Sequence, residues 1–103
     1  MLIQLLDNKK NIVLNDGYID FCLKLYNDLK TDADEFGLNK IVLDEEFNTV
    51  KAVLNNGLEV YFSFKNDYLE QISSFLTLKK EISLELKNKK YIDLRYGDRI
   101  FYY

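Results

Sequence analysis

The sequence has no histidine, no tryptophan and no proline, and only one cysteine and four glycines among 103 residues. Each shortage excludes a kind of chemistry. Without imidazole there is no Ser-His-Asp or Cys-His relay and no histidine ligand for a metal. A single thiol, Cys22, excludes an internal disulfide and a multi-thiolate zinc site. The scattered glycines form neither a GxxxxGK[ST] nor a GxGxxG phosphate loop. Most enzyme classes fall away on these grounds, and no cofactor is expected.

What is present is the composition of one folded domain, expected to span residues 1–103: 48% hydrophobic, 15% aromatic and 30% charged, at a net charge of −3. At 12.2 kDa, surface scaling leaves roughly two-thirds of the unfolded chain's surface to be buried on folding. Lys and Arg total 14 against 17 Asp and Glu, the opposite of the basic excess a nucleic-acid binder carries. Basic clusters at Lys79-Lys80 and Lys87 to Lys90 are diluted by Glu81 and Glu85 and read as solvated surface. No stretch reaches the roughly 18 apolar residues of a membrane span, and no basic flank with an apolar signal core opens the chain. The expectation is a soluble protein, or an extramembrane piece of a longer one. Arginine is scarce: 12 Lys accompany two Arg, and both, Arg95 and Arg99, lie near the end.

Periodicity supplies the elements. Leu2 to Leu6 and Ile12 to Leu14, apolar on either side of a polar stretch, read as a hairpin. Apolar residues at Tyr18, Ile19, Cys22, Leu25, Tyr26 and Leu29 form the stripe of a first helix, for which Gly37 is the expected C-terminal cap. Ile41 to Leu43 is a short strand. Val50, Ala52 and Leu54 alternate with polar neighbours, Asn55-Asn56-Gly57 supplies a tight turn, and Leu58, Val60, Phe62 and Phe64 share the next strand face. Asp67 and Glu70 fit a capping box before a second stripe of Tyr68, Leu69, Ile72, Phe75 and Leu76. The segment Ile82 to Lys87 fits a strand, a continued helix or a linker equally. Tyr91 to Tyr96 and Arg99 to Tyr103 flank a turn at Gly97-Asp98 and read as terminal strands, with Ile92, Leu94 and Tyr96 toward the core and Tyr91, Asp93 and Arg95 on the other face. The predicted class is α+β, a mostly antiparallel sheet with two helices packed on one face.

Acidic residues are the only catalytic candidates. Asp32, Asp34 and Glu35, and again Asp44, Glu45 and Glu46, cluster where periodicity fails, and read as solvated turns; neither run has the spacing of a calcium loop. Cys22 on the helical stripe reads as a small core residue. The Tyr residues of the helix stripes read as core rather than as a base-stacking platform. The last strand differs, being aromatic on both faces and carrying neither the proline nor the terminal lysine that usually blunts an edge. Such a strand is either covered by its own fold or offered to a partner strand.

The ending YIDLRYGDRIFYY resembles the C-terminal strand motif of the FtsQ/DivIB family of bacterial cell-division proteins. VLNNGLEVYFSF resembles that family's paired strands, and NDYLEQISSFLTLKK the helix that follows them. The likeness runs over roughly Ile41 to Tyr103 and is weak before it. It implies a non-enzymatic scaffold on the outer side of the cytoplasmic membrane at the division septum. The chain would then be the β-domain alone, without the family's membrane helix or POTRA domain, and any membrane attachment would lie in a segment outside it. By the same resemblance the partners would be FtsB/DivIC-like and FtsL-like coiled-coil proteins, with no nucleic acid and no small-molecule substrate. Arg95 and Tyr96 match the motif positions linked to the partner contact. Gly97 to Tyr103 would form the receiving strand, with Arg99, Ile100, Phe101, Tyr102 and Tyr103 carried over as edge positions. On this reading, charge reversal at Arg95 or proline at Phe101 abolishes binding and spares the fold. Two other readings stand beside it. One is a domain whose last strand pairs with its own copy. The other is a small acid–base enzyme, which needs a concave pocket setting Asp44 or Glu46 against another carboxylate.

Overall fold

Two parallel strand pairs, each joined by a helix, frame the sheet in the computed structural model, which describes residues 2–5, 16–29, 37–44, 48–97 and 99–103. The order along the chain is β1 (Leu2–Leu5), α1 (Asp16–Leu29), β2 (Leu38–Asp44), β3 (Thr49–Leu54), β4 (Glu59–Ser63), α2 (Tyr68–Leu86), β5 (Tyr91–Tyr96) and β6 (Arg99–Tyr102). The strands form one six-stranded sheet in sequence order. The β1–β2 and β4–β5 pairs are parallel and the other neighbours antiparallel. Both crossovers start from strands of the same direction and step the same way across the sheet. A shared right hand therefore places both helices on one face. The result is the expected α+β class.

Alternation along the strands fills the space under the helices. Ile41 and Leu43, Val50, Ala52 and Leu54, Val60 and Phe62, and Ile92 and Leu94 are all buried there against Tyr18, Phe21, Cys22, Leu25 and Leu29 of α1 and Tyr68, Ile72, Phe75 and Leu86 of α2. Aromatic rings join the layers. Tyr18 stacks on Phe64 with centroids 4.0 Å apart, and Phe21 meets Phe62 and Tyr68 edge-on at 6.2 and 5.1 Å. The helices are also tied to each other, since the Tyr68 hydroxyl donates to Asp28 at 2.5 Å. Burial, then this hydrogen bond, pushes the Tyr68 phenol far above its ordinary range.

The β3–β4 hairpin turns as its residues demand. Gly57 N–H donates to the Leu54 carbonyl at 2.9 Å and Gly57 takes φ +90°, while the Asn56 side chain accepts from Leu58 N–H at 3.0 Å. This is a three-residue loop closed by a left-handed glycine. A Cβ at Gly57 would meet nothing within 4 Å, so Gly57→Ala isolates backbone strain from crowding. The expected loss is about 1 kcal/mol in urea unfolding.

Several sequence expectations change. The strand β1 pairs with β2; its expected partner, Ile12 to Leu14, lies outside the described residues. Gly37 does not cap α1: it precedes β2, where its carbonyl accepts Asn55 N–H at 2.8 Å. On α1, Ile19 and Tyr26 face outward and Phe21 takes the inward place. On α2, Leu69 is 68% exposed and Leu76 also points out, whereas Gln71 is buried. Gln71 explains the rotation: its amide accepts from Ser63 N–H at 2.6 Å and donates to the Ser63 carbonyl at 2.9 Å, latching the helix to the end of β4. Asp67 caps the helix as expected, accepting Glu70 N–H at 3.2 Å. The undecided segment from Ile82 continues α2 beyond a kink at Ile82 (φ −130°, ψ 37°), and Leu86 returns to the core.

Candidate functional site: the open sheet face and the β6 edge

The sheet face opposite the helices is built by the other half of each alternation. One register row runs from Val42 on β2 through Lys51, Tyr61 and Asp93 to Phe101 on β6, and a second runs from Val53 through Glu59 to Tyr91. Tyr103 extends the second row, because it and Tyr91 exchange both main-chain hydrogen bonds at 3.1 and 3.3 Å. Three tyrosine rings step across the strands: Tyr61 stacks on Tyr91 at 5.4 Å, and Tyr91 meets Tyr103 at 5.3 Å. The Tyr61 hydroxyl donates to Glu59 at 3.1 Å, and Glu59 pairs with Lys51 at 3.4 Å. Burial, then the Glu59 carboxylate, pushes the Tyr61 phenol up to about 12.

Arg95, on β5, stands on the same face. Its Nε donates to Asp93 Oδ1 at 2.9 Å and its Nη2 to Asp93 Oδ2 at 2.7 Å, a two-pronged pair with a carboxylate whose residue is only 6% exposed. Its Nη1 donates to Thr49 Oγ1 on β3 at 3.0 Å, and its guanidinium sits 5.2 Å from the Tyr61 ring centre and 5.5 Å from that of Tyr96. The hydrogen bond to Asp93 raises the Arg95 pKa further above its ordinary value. Asp93 and Arg95, neighbours on one strand face by parity, thus form a largely buried, bidentate ion pair whose contacts reach across three strands.

The ladder between β5 and β6 shifts register between Asp93 and Tyr96. Three residue steps on β5 face two on β6, which is a bulge on β5. Past it, Tyr96 does not face the core as its parity predicts. It is 56% exposed, on the open face, edge-on to Phe101 at 5.7 Å. Gly97, at φ +70°, makes the turn into β6.

The β6 strand is last in the sheet, and among the described residues nothing pairs with its outer edge. The Tyr91–Tyr103 exchange fixes which main-chain groups face outward. Antiparallel alternation directs those of Tyr103 and Phe101 toward β5 and those of Ile100 and Tyr102 away from it. Side chains follow the other rule: Arg99, Phe101 and Tyr103 stand on the open face. Together with Tyr91, Asp93 and Tyr96 they line a concavity of about 410 Å³. Ile100 packs half-buried on the core side, and the Lys89 ammonium sits 5.2 Å from the Tyr102 ring centre.

The sequence-predicted residues therefore gather at one end of the sheet, but with divided roles. Ile100 and Tyr102 present the free main chain, Tyr96, Arg99, Phe101 and Tyr103 form the rim, Gly97 makes the turn, and Arg95 is engaged internally. Sequence reading missed Thr49, which only the fold brings to Arg95, and Tyr61 and Tyr91, whose open-face parity was visible but whose stacking needs the β4–β5 register. Of the acidic candidates, Asp32, Asp34, Glu35, Glu45 and Glu46 lie outside the described residues. Asp44 borders a cavity of about 200 Å³ with Val42, Thr49, Lys51, Tyr61 and Arg95, where no second carboxylate is found among the described residues. Cys22 is buried, and burial pushes its thiol up to about 11. Compared with known proteins, the chain matches no family model and no curated sequence.

Proposed function

We propose that this chain is a non-enzymatic partner-binding domain of the FtsQ/DivIB kind, which receives an extended segment of an FtsB/DivIC-like coiled-coil protein, itself paired with an FtsL-like one, as an added strand on β6. The observation that carries the reading is the outer edge of β6, where the N–H and C=O groups of Ile100 and Tyr102 point away from the sheet beside an aromatic rim. The resemblance of the terminal motif supplies the partner class. With it comes the site of action: the outer face of the cytoplasmic membrane at the septum, with membrane attachment by a segment outside this chain.

The test is a titration of the isotopically labelled chain with the segment that follows the coiled coil of its own FtsB/DivIC-like protein. The Ile100 and Tyr102 amides are expected to shift and to become protected from hydrogen exchange. Those of Phe101 and Tyr103, already bonded to β5, are expected to shift less. Changes confined to the exposed side of α1, or none, would remove the proposal.

The same edge favours a second reading, pairing with a second copy of the chain. If Ile100 bonds to Tyr102 of the second copy, Phe101 faces its own counterpart across the two-fold axis and Arg99 faces the counterpart of Tyr103, so the strand is complementary to itself. Sedimentation at rising concentration separates the two. A mass that doubles without partner favours self-pairing, and a constant monomer mass favours the division partner.

A further inference from the structure

The main chain of Arg95 is held by side chains. Its N–H donates to Asp93 Oδ1 at 3.0 Å, and its carbonyl accepts from the Asn66 amide at 2.8 Å. Unbroken alternation would have directed that N–H to β6. The carboxylate that takes it also holds Nε and Nη2 of the same residue, so one buried group satisfies three donors of Arg95. This is the point at which β5 gains its extra residue. Through Nη1 the guanidinium is anchored to Thr49 on β3, inside the sheet and away from the terminal hairpin.

We infer that Asp93 and Arg95 are positioning residues: their bidentate pair, moored to Thr49, holds the β5 bulge and so sets the register in which β6 turns the main chain of Ile100 and Tyr102 outward. A slip of one residue would exchange the two sets, hiding Ile100 and Tyr102 and exposing Phe101. The bulge also carries Tyr96 to the open face, where it supports Phe101. Lysine cannot replace Arg95, because a point charge cannot hold both carboxylate oxygens and Thr49 at once. The functional meaning of this register rests on the strand-addition reading, but the register itself is a property of the chain without partner.

Amide exchange and ring-to-ring nuclear Overhauser contacts in the free chain test it. In Arg95→Ala and in Asp93→Ala, exchange at Phe101 and Tyr103 is expected to quicken about tenfold or more, while central amides of β3 and β4 stay within about twofold. The Tyr96–Phe101 ring contact is expected to vanish. The double variant should be no worse than either single one, and Arg95→Lys should recover only part of the protection. Wild-type exchange at Phe101 and Tyr103 together with an intact ring contact in Arg95→Ala would overturn the inference. If either alanine variant loosens the central strands as well, Thr49→Val decides, since it removes one acceptor and leaves the ion pair. A rise confined to Phe101 and Tyr103 supports the inference, and no rise overturns it. Partner binding enters none of these readouts, so failure of strand addition is seen separately.

Discussion

Proline at Tyr102 is expected to weaken strand addition at β6 by about tenfold or more and to leave the melting temperature within about 2 °C of the parent. The Tyr102 N–H points away from β5, so the substitution removes a donor that the isolated fold does not use. Proline at Phe101, one residue away, is expected to act oppositely. The Phe101 N–H faces Asp93, and its loss breaks the chain's own ladder, so β6 detaches and the Tyr91–Tyr103 contact goes with it. Local opening limits that damage to the terminal hairpin. The Phe101 substitution that the sequence alone nominates as fold-sparing is therefore the damaging one, and Tyr102→Pro is the clean probe. Charge reversal at Arg95 is unsuitable as well, since it would set a second carboxylate against that of the buried Asp93. Calorimetric titration with the partner segment, beside thermal melts of both proline variants, checks the pair. Equal loss of binding and equal melting temperatures would contradict the assignment of inward and outward residues.

Phe62→Ala is expected to lose about 3–5 kcal/mol of unfolding free energy. The ring is fully buried on the core side of β4, edge-on to Phe21, so its removal leaves a cavity in the core. Against a total of about 5–15 kcal/mol for a domain of this kind, that is enough to unfold a large share of the protein on mild heating. Leu69→Ala, also an apolar truncation, is expected to change stability by no more than about 0.5 kcal/mol because Leu69 faces solvent. Urea unfolding of the two variants checks both figures. A large loss at Leu69 would mean that α2 is rotated from the orientation described.

The contrast between these residues shows how far the sequence could be read. The strands were legible because period-two alternation sorts Val50, Ala52, Leu54, Val60 and Phe62 to one face whatever lies above them. The Asn-Asn-Gly turn was legible because Gly57 meets a purely local backbone demand. The helix stripes were legible only to within a rotation. An apolar arc as broad as Tyr68, Leu69, Ile72, Phe75 and Leu76 can be buried about more than one line, and the hydrogen bonds between Gln71 and Ser63 choose the line. A polar residue cannot announce such a role from its place in the sequence. The gathering of the candidate site at the chain's end was legible from its aromatic, proline-free strand. The inward or outward direction of each main-chain group was not, because it depends on the β5–β6 register.

The scarcities noted at the outset acquire a structural counterpart in the tail. Of two arginines in the chain, one fills a place in the sheet where a planar, multi-donor group meets a carboxylate and a hydroxyl together. By itself the sequence determined the element types outside the segment from Ile82, the Asn-Asn-Gly hairpin turn, the Asp67 cap and the unblunted terminal strand, since each follows from the spacing or chemistry of neighbouring residues. Only the tertiary structure decided which sides the helices bury, where Arg95 is held and which groups β6 offers, since these depend on how separate elements meet: Gln71 of α2 against Ser63 of β4, and Arg95 of β5 against Thr49 of β3. A bulge held from another strand reverses the parity on which sequence reading relies, and Tyr96 therefore stands on the open face while Leu94, two residues before it, lies in the core.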